Sequence, residues 1–444
     1  MPIGGGTFTV QNKILPGAYI NFVSLGSVVK MGTRGVAALP LELNWGPENK
    51  VFSVYAEDFN KNALSVFGYD PTADDILLVK EALKRARTLM IYRVNSGGKK
   101  ATATVGGVTV TAACGGTRGN AISVAILTNA DNATNVDVVT YLDGMVMDSQ
   151  TVAKATGSAN LKANDFVTFG SASSLTPAVA TPLTGGTNGT VNGAAHTAAL
   201  NAFEVESFNV VGYPGTDEEI KSLYATFVKR LRDDEGKKIV GVLHDYKGDN
   251  IGLINVKNGV VLNDGTTVTG DKAVAWVSGA SAGAEINESL TNTAYDDAVD
   301  VDIKYTKSQF EAAIQAGEFV FYADYGKARV LTDINSFISI TDEKSSDFSS
   351  NQTIRVLDQI ANDIAVLFGK KYLGKVPNDA AGRISLWNDI VKHHTELQDI
   401  RAIENFSGEN VTVEKGDTKK SVVVTDYVTP VNAMEQLYMT VYVQ

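Results

Sequence analysis

A chain of 444 residues, 44% of them hydrophobic and 20% charged, has the make-up of a globular protein with substantial apolar cores. At ~100–200 residues per domain, that length predicts about three domains. The net charge of −11 excludes a general phosphate-binding face, and with it nucleic acid as a partner.

The opening residues Met1 to Gly6 lack the basic and apolar regions of a signal peptide. No run of about 18 apolar residues occurs, so direct membrane insertion is not expected. Thr7-Phe8-Thr9-Val10-Gln11 alternates like a strand, cut off by Gly4 to Gly6 and by Pro16-Gly17. Residues 1–20 therefore read as an N-terminal arm with no obvious local partner. Residues 21–95 read as α/β. Thr72 and Asp75 are spaced as a capping box, Ile76, Val79, Leu83 and Ala86 recur at helical spacing, and 89–94 is strand-like.

Charge then falls away. Between 101 and 200 only eight residues are charged, and Thr, Ala, Val and Gly dominate. Residues 96–185 accordingly read as an all-β insertion, with strands near 121–127 and 136–141. The single cysteine, Cys114, lies here as an inert small hydrophobe; it rules out an intrachain disulfide and fits a reducing cytosol.

The α/β pattern returns over 186–341. A strand at 208–212, a second capping box at Thr216 and Glu219, and one apolar face through Ile220, Leu223, Tyr224, Phe227 and Leu231 lead to a strand at 238–243. That order predicts a parallel β-α-β unit. Residues 273–277 are expected to form another buried strand. Thr306 with Gln309 opens a helix that Gly317 closes, and 318–323 and 327–331 make a hairpin over Asp324-Tyr325-Gly326. Residues 342–433 supply two helices, one through Ile354, Leu357, Ile360, Ile364 and Leu367, the other through Trp387, Ile390, His394 and Leu397. Strands at 410–414 and 421–425 follow. In the last segment, 434–444, Leu437, Met439, Val441 and Val443 share one face, and Tyr438, Thr440 and Tyr442 the other. It is a second β-type arm. In a self-contained domain both arms would pair with their own sheet edge.

Gly279-Ala280-Ser281-Ala282-Gly283 is a literal G-x-S-x-G after an expected strand, and a serine hydrolase using Ser281 would need a later acid and then a histidine. His393 and His394 do follow, but on a helix that puts His394 on the apolar side, and no Gly-rich oxyanion loop precedes the motif. Small residues at such a corner serve close packing equally well. The Gly-rich segments 115–119 and 183–189 match no phosphate loop and read as turns. Glu285, Glu288, Asp296, Asp297, Asp300 and Asp302 lack the spacing of a calcium loop and read as a solvated acidic face or an interface with a basic neighbour. His196, His244, His393 and His394 lack metal-site spacing, and adjacent histidines are not expected to face one way on a helix. No catalytic residue, cofactor or metal site is assigned.

With both arms and the C-terminal half in view, the chain resembles the contractile tail sheath family, in the branch found in phages and phage-like particles of low-GC Gram-positive bacteria. The resemblance runs through nearly the whole length. It is carried by Leu15-Pro16-Gly17-Ala18-Tyr19-Ile20, the G-x-x-G-N turn at 116–120, the Gly185-Gly186 junction, Asn255-Val256-Lys257-Asn258-Gly259 and 275–284. Its strongest part is C-terminal: Leu331-Thr332-Asp333-Ile334-Asn335-Ser336, Asn351-Gln352-Thr353-Ile354-Arg355, Tyr372-Leu373-Gly374-Lys375-Val376-Pro377-Asn378 and Tyr438-Met439-Thr440-Val441.

That resemblance implies a non-enzymatic subunit that polymerises as stacked hexameric rings around an inner tail tube and contracts to drive the tube through a cell envelope. It implies tail tube, baseplate and tail terminator partners, assembly in the host bacterial cytoplasm, and bacteriophage or bacteriocin particles. It gives Thr7, Phe8, Thr9, Val10 and Gln11, and residues 437–443, partners in neighbouring copies. It also turns the helices of 353–403 toward the tube, with Lys370, Lys371, Lys375, Arg383 and Lys392 as tube-facing candidates; a solvated face is the plain alternative for each. The insertion would lie outside. The expected fold class is α/β and α+β multidomain, with an all-β insertion and extended terminal arms. A non-contractile assembly or surface protein is the other structural reading.

Overall fold

A computed structural model of the protein describes residues 34–443, together with the backbone of Gly5–Gly6 and Ala18–Tyr19, two dipeptides that pair in parallel. The expected strand at 7–11 lies outside the described residues. The described helices are α1 (Phe59–Phe67), α2 (Leu77–Leu83), α3 (Gly193–Glu204), α4 (Glu218–Asp233), α5 (Gly270–Gly283), α6 (Lys307–Gln315), α7 (Asn351–Leu367) and α8 (Ala380–Asp399).

Apolar, β-branched runs buried on both sides build a seven-stranded sheet. Its order is Glu318–Phe319, Leu253–Val256, Val240–His244, Val210–Tyr213, Val36–Leu41, Thr88–Arg93, Val51–Tyr55. Neighbours are parallel except the last pair, where Val51–Tyr55 runs antiparallel. The two-residue period divides each strand between two cores. Ala37, Leu39, Leu41, Val210, Val242 and Ile254 pack with α1, α2 and α5, while Ala38, Val211, Leu243 and Leu253 pack with α3 and α4. The strand–α4–strand unit is parallel as the sequence predicts.

Residues 273–277 are not a strand. They form the middle of α5, whose buried residues run from Ala273 to Ala282 without a gap. A helix enclosed between a sheet and another helix is apolar all round, so its sequence loses the 3.6-residue alternation that would have distinguished it.

The helix starts differ in detail. Thr306 and Gln309 make the expected capping box on α6, and Gly317 ends that segment at φ 66°. On α4 the cap is Asp217, one residue beyond the expected Thr216, accepting from the amides of Glu219 and Ile220 at 2.9 and 3.1 Å. On α2 there is no capping box. Thr72 folds back on Asp70, its amide at 2.9 Å and its hydroxyl at 2.6 Å, and a 3-10 turn at Asp74–Ile76 leads into the helix.

The low-charge insertion is a sandwich. A four-stranded sheet (Met145–Ala153, Asn135–Leu142, Ile122–Thr128, Ala178–Pro182) faces a three-stranded one (Val167–Phe169, Val108–Ala112, Thr102–Val105). Val110, Ile122, Val124, Ile126, Val138 and Leu142 fill the space between. In the C-terminal part, α7 and α8 pack together and carry the antiparallel hairpin Val411–Lys415/Val422–Asp426.

Candidate assembly surfaces

The catalytic-looking G-x-S-x-G motif is structural. Ser281 is buried inside α5, and Gly279 and Gly283 face α2 so closely that a Cβ would stand 2.1 Å from the Ala82 carbonyl oxygen and 2.0 Å from that of Arg85. The Ser281 and Ala284 carbonyls accept from Arg34 at 3.1 and 3.2 Å. A nucleophile elbow needs a strand, a sharp turn and an exposed hydroxyl. None of the three is present here.

His393 and His394 are engaged elsewhere, with Asp363 and Asp426. Contrary to the expectation from helical spacing, both rings turn inward and their Nδ1 atoms meet at 3.2 Å. Side-chain torsions recover what the ~100° step between neighbours denies.

The acidic stretch 285–302 is largely consumed within the chain. Asp296 accepts from Arg85 at 2.6 Å and from the Trp276 indole at 2.9 Å, Asp297 pairs with Lys84 at 3.2 Å, and Asp300 with Lys304 at 2.8 Å. Asp302 accepts from the Gly259 amide at 2.8 Å. Among the described residues, no group of three His, Cys, Asp or Glu is placed to hold a metal ion.

What remains open is at the C-terminus. Glu435 is the last fastening, accepting from the hydroxyls of Thr291 at 2.6 Å and Thr332 at 2.9 Å. Beyond it residues 437–443 have no strand partner among the described residues, and every one is exposed, Leu437 at 86% and Val443 at 94%. Side chains of that apolarity are rarely left in water without a partner surface. The hairpin Val411–Lys415/Val422–Asp426 is a two-stranded sheet, so both of its outer edges lack strand partners among the described residues.

The basic candidates divide. Lys370, Lys371, Lys375 and Arg383 gather around the turn between α7 and α8, whereas Lys392 is exposed farther along α8. Lys371 pairs with Asp389 at 2.6 Å, which raises the lysine, and burial followed by the same carboxylate raises the Tyr372 hydroxyl. Lys375 donates to the Lys370 carbonyl at 2.6 Å, and Arg383 to Asn378. Sequence reasoning passed over Lys419 and Lys420, in the hairpin turn. Asn378 donates to the Lys419 carbonyl at 3.2 Å, and Lys420 lines the same cavity as Arg383, so the turn belongs to this basic lobe. The Lys-Lys pair itself was the signal.

Comparison with known proteins fits these features. The phage tail sheath protein central domain matches residues 189–336, the phage tail sheath C-terminal domain 343–444, the beta-sandwich domain 96–188, and the tail sheath protein Gp18 domain III N-terminal region 34–94. The chain belongs to the phage tail sheath family.

The sheath chain is 37% identical to the phage-like element PBSX protein XkdK of Bacillus subtilis, over 99% of this chain and 100% of that one. The crystal structure of a sheath tail protein from Desulfitobacterium hafniense superposes with a TM-score of 0.86 at 44% identity, covering 95% and 99% of the two chains. The fold also matches the helical sheath of the anti-feeding prophage in its contracted state, at a TM-score of 0.57 and 12% identity over 97% and 99%. The role of the sheath chain is structural rather than enzymatic, in the tail sheath of a phage or phage-like particle. Arm, hairpin and basic lobe all fall within the segment that matches the C-terminal domain.

Proposed function

We propose that copies of the sheath chain join by strand exchange, the arm of one adding to the hairpin of another. The observation that carries this is the exposed run 437–443, which leaves the body at Glu435 with Leu437, Met439, Val441 and Val443 uncovered. Edge pairing satisfies the backbone groups of both strands, and alternate side chains set the register. Two edges per hairpin match two arms per chain, 437–443 and Thr7 to Gln11.

The polymer is read as stacked hexameric rings around an inner tail tube, ending on a baseplate and a tail terminator, assembled in the host cytoplasm without a cofactor. The arms, 1–20 and 434–444, keep the mesh joined while the bodies move. Within the body, 21–95 and 186–341 form the α/β part, 96–185 the outer module and 342–433 the tube-facing part. Contraction is driven by burial between bodies that the extended lattice withholds, at about 25 cal/mol per Å² of apolar surface.

The decisive test is truncation. A chain lacking residues 435–444, or residues 1–13, is expected to stay folded by circular dichroism and to form no tubes under negative-stain microscopy; tubes of normal length would refute the reading. Charge reversal at Lys370 and Lys375 to Glu addresses the tube. It is expected to leave empty sheath assembly intact and to weaken co-sedimentation with tubes, more strongly at low salt. Unchanged co-sedimentation would remove the basic lobe from the tube interface.

A further inference from the structure

A small cavity in the body is lined mainly by hydrogen-bond donors. It lies where the chain enters the strand Val36–Leu41, between the C-terminal half of α5 and the first half of α7, and Arg34, Asn209, Lys238, Ser281, Arg355 and Asp358 line it. The Asn209 side-chain carbonyl accepts from the amides of Gly35 and Val36 at 3.1 and 3.0 Å, which leaves its NH2 group as the donor to the cavity. The Ser281 hydroxyl makes no hydrogen bond to a described residue, although Ser281 is only 3% exposed. Ser278, on the same helix, instead returns its hydroxyl to the Val274 carbonyl at 2.7 Å. Asp358 is the carboxylate on the wall, and both of its oxygens are taken by Arg232, at 2.6 and 2.7 Å.

Charge around the cavity does not balance. Arg355 has Asp333 at 3.4 Å, and Arg232 has Asp358. Arg34 and Lys238 form no ion pair among the described residues: Arg34 donates to the Ser281 and Ala284 carbonyls, and Lys238 to the Arg232 carbonyl. The end of α5 offers Arg34 partial charges and not a whole one. Burial, followed by the Arg355 charge, pushes its guanidinium down to about 10. Glu285, the acid it senses besides Asp358, is exposed. Enclosed charge of one sign calls for a counter-charge. We infer that the cavity is a binding site for one small inorganic anion of the halide class, held by the Ser281 hydroxyl, the Asn209 amide and the Arg34 guanidinium. There is room for one water-sized ion, so phosphate and side-chain carboxylates do not fit. Water alone would satisfy the donors and leave the charge uncompensated. Bound there, the ion sits between α5 and α7 and ties the C-terminal part to the central sheet alongside the Arg232–Asp358 pair. The site is independent of strand exchange.

Halide replacement on the full-length chain tests this. At a fixed ionic strength of about 0.3 M, exchanging sodium gluconate for sodium chloride is expected to raise the melting midpoint saturably, by at least about 2 °C, because an ion that binds only the folded chain stabilises it by mass action. Gluconate is too large for the cavity. Ser281→Ala is expected to fold and to need at least about fivefold more chloride for half the rise, through loss of one donor to a charged group. Arg34→Gln is expected to remove the saturable rise. A crystal soaked in sodium bromide is expected to show an anomalous peak within hydrogen-bonding distance of Ser281 Oγ and Asn209 Nδ2. A chloride response equal in the parent and in Ser281→Ala would overturn the site, whether or not Arg34→Gln folds. So would a bromide peak without a saturable rise, which marks an adventitious ion only, and so would a bromide crystal with no peak in this cavity.

Discussion

Asp358→Ala is expected to lower the stability of the folded chain by about 3–5 kcal/mol, the range for breaking a buried ion pair from one side. Both oxygens of Asp358 receive the Arg232 guanidinium, at 2.6 and 2.7 Å, and the two side chains are only 4% and 8% exposed. The contact fastens α7 to α4 and thus the C-terminal part to the central sheet. Its surroundings are already rich in positive charge. Arg34 is lowered to about 10, first by burial and then by Arg355, and the Asp358 charge partly offsets that. Without the carboxylate, Arg232 keeps the Ile239 carbonyl at 2.7 Å and no counter-charge. The measurement is a urea midpoint with unchanged slope. Replacing both partners together, Arg232→Met with Asp358→Leu, is expected to restore most of the loss, because an apolar pair needs no counter-charge. A single-variant loss below about 1 kcal/mol would mean water reaches the pair.

Gly279→Leu should be comparably damaging, at about 3 kcal/mol or more, since neither α5 nor α2 can withdraw from the contact. The obstruction is the main-chain oxygen of Ala82, 2.1 Å from the position of an added Cβ, and not a flexible side chain. Ser281→Ala, two residues away in the same motif, is expected to change stability by no more than about 1 kcal/mol. Thermal melting of the two variants side by side separates close packing from chemistry. A Gly279→Leu chain as stable as the parent would require the helices to be farther apart than described, and labelling of Ser281 by a fluorophosphonate probe would reopen the hydrolase reading.

The parts of the fold that the sequence made legible are those with one face in water. On α4, Tyr224, Phe227 and Leu231 alternate with polar residues, and the insertion announces itself by its lack of charge. α5 was misread because it is enclosed on all sides and lacks helical alternation. α7 is a helix as expected, but its first half buries Asn351, Gln352, Thr353, Arg355 and Asp358 along with Ile354 and Val356. Binary patterning assigns polar residues to solvent, so it does not show that this face docks through ion pairs and amides. The histidine pair was missed for a related reason, because helical spacing fixes where a Cβ sits and not where a ring ends. At 437–443 the apolar alternation read in the sequence has no strand partner among the described residues, and the alternation at Thr7 to Gln11 lies outside them.

The Glu435 fastening carries a geometric consequence. Held by Thr291 and Thr332 on the body, it is followed by an extended segment of which the eight described residues, 436–443, can reach roughly 25 Å. Under strand exchange, every arrangement the lattice passes through must keep the receiving hairpin of the next copy inside that radius. On that reading, the reach between copies is set by the number of residues between Glu435 and those that pair, and inserting a few residues after Glu435 would lengthen it.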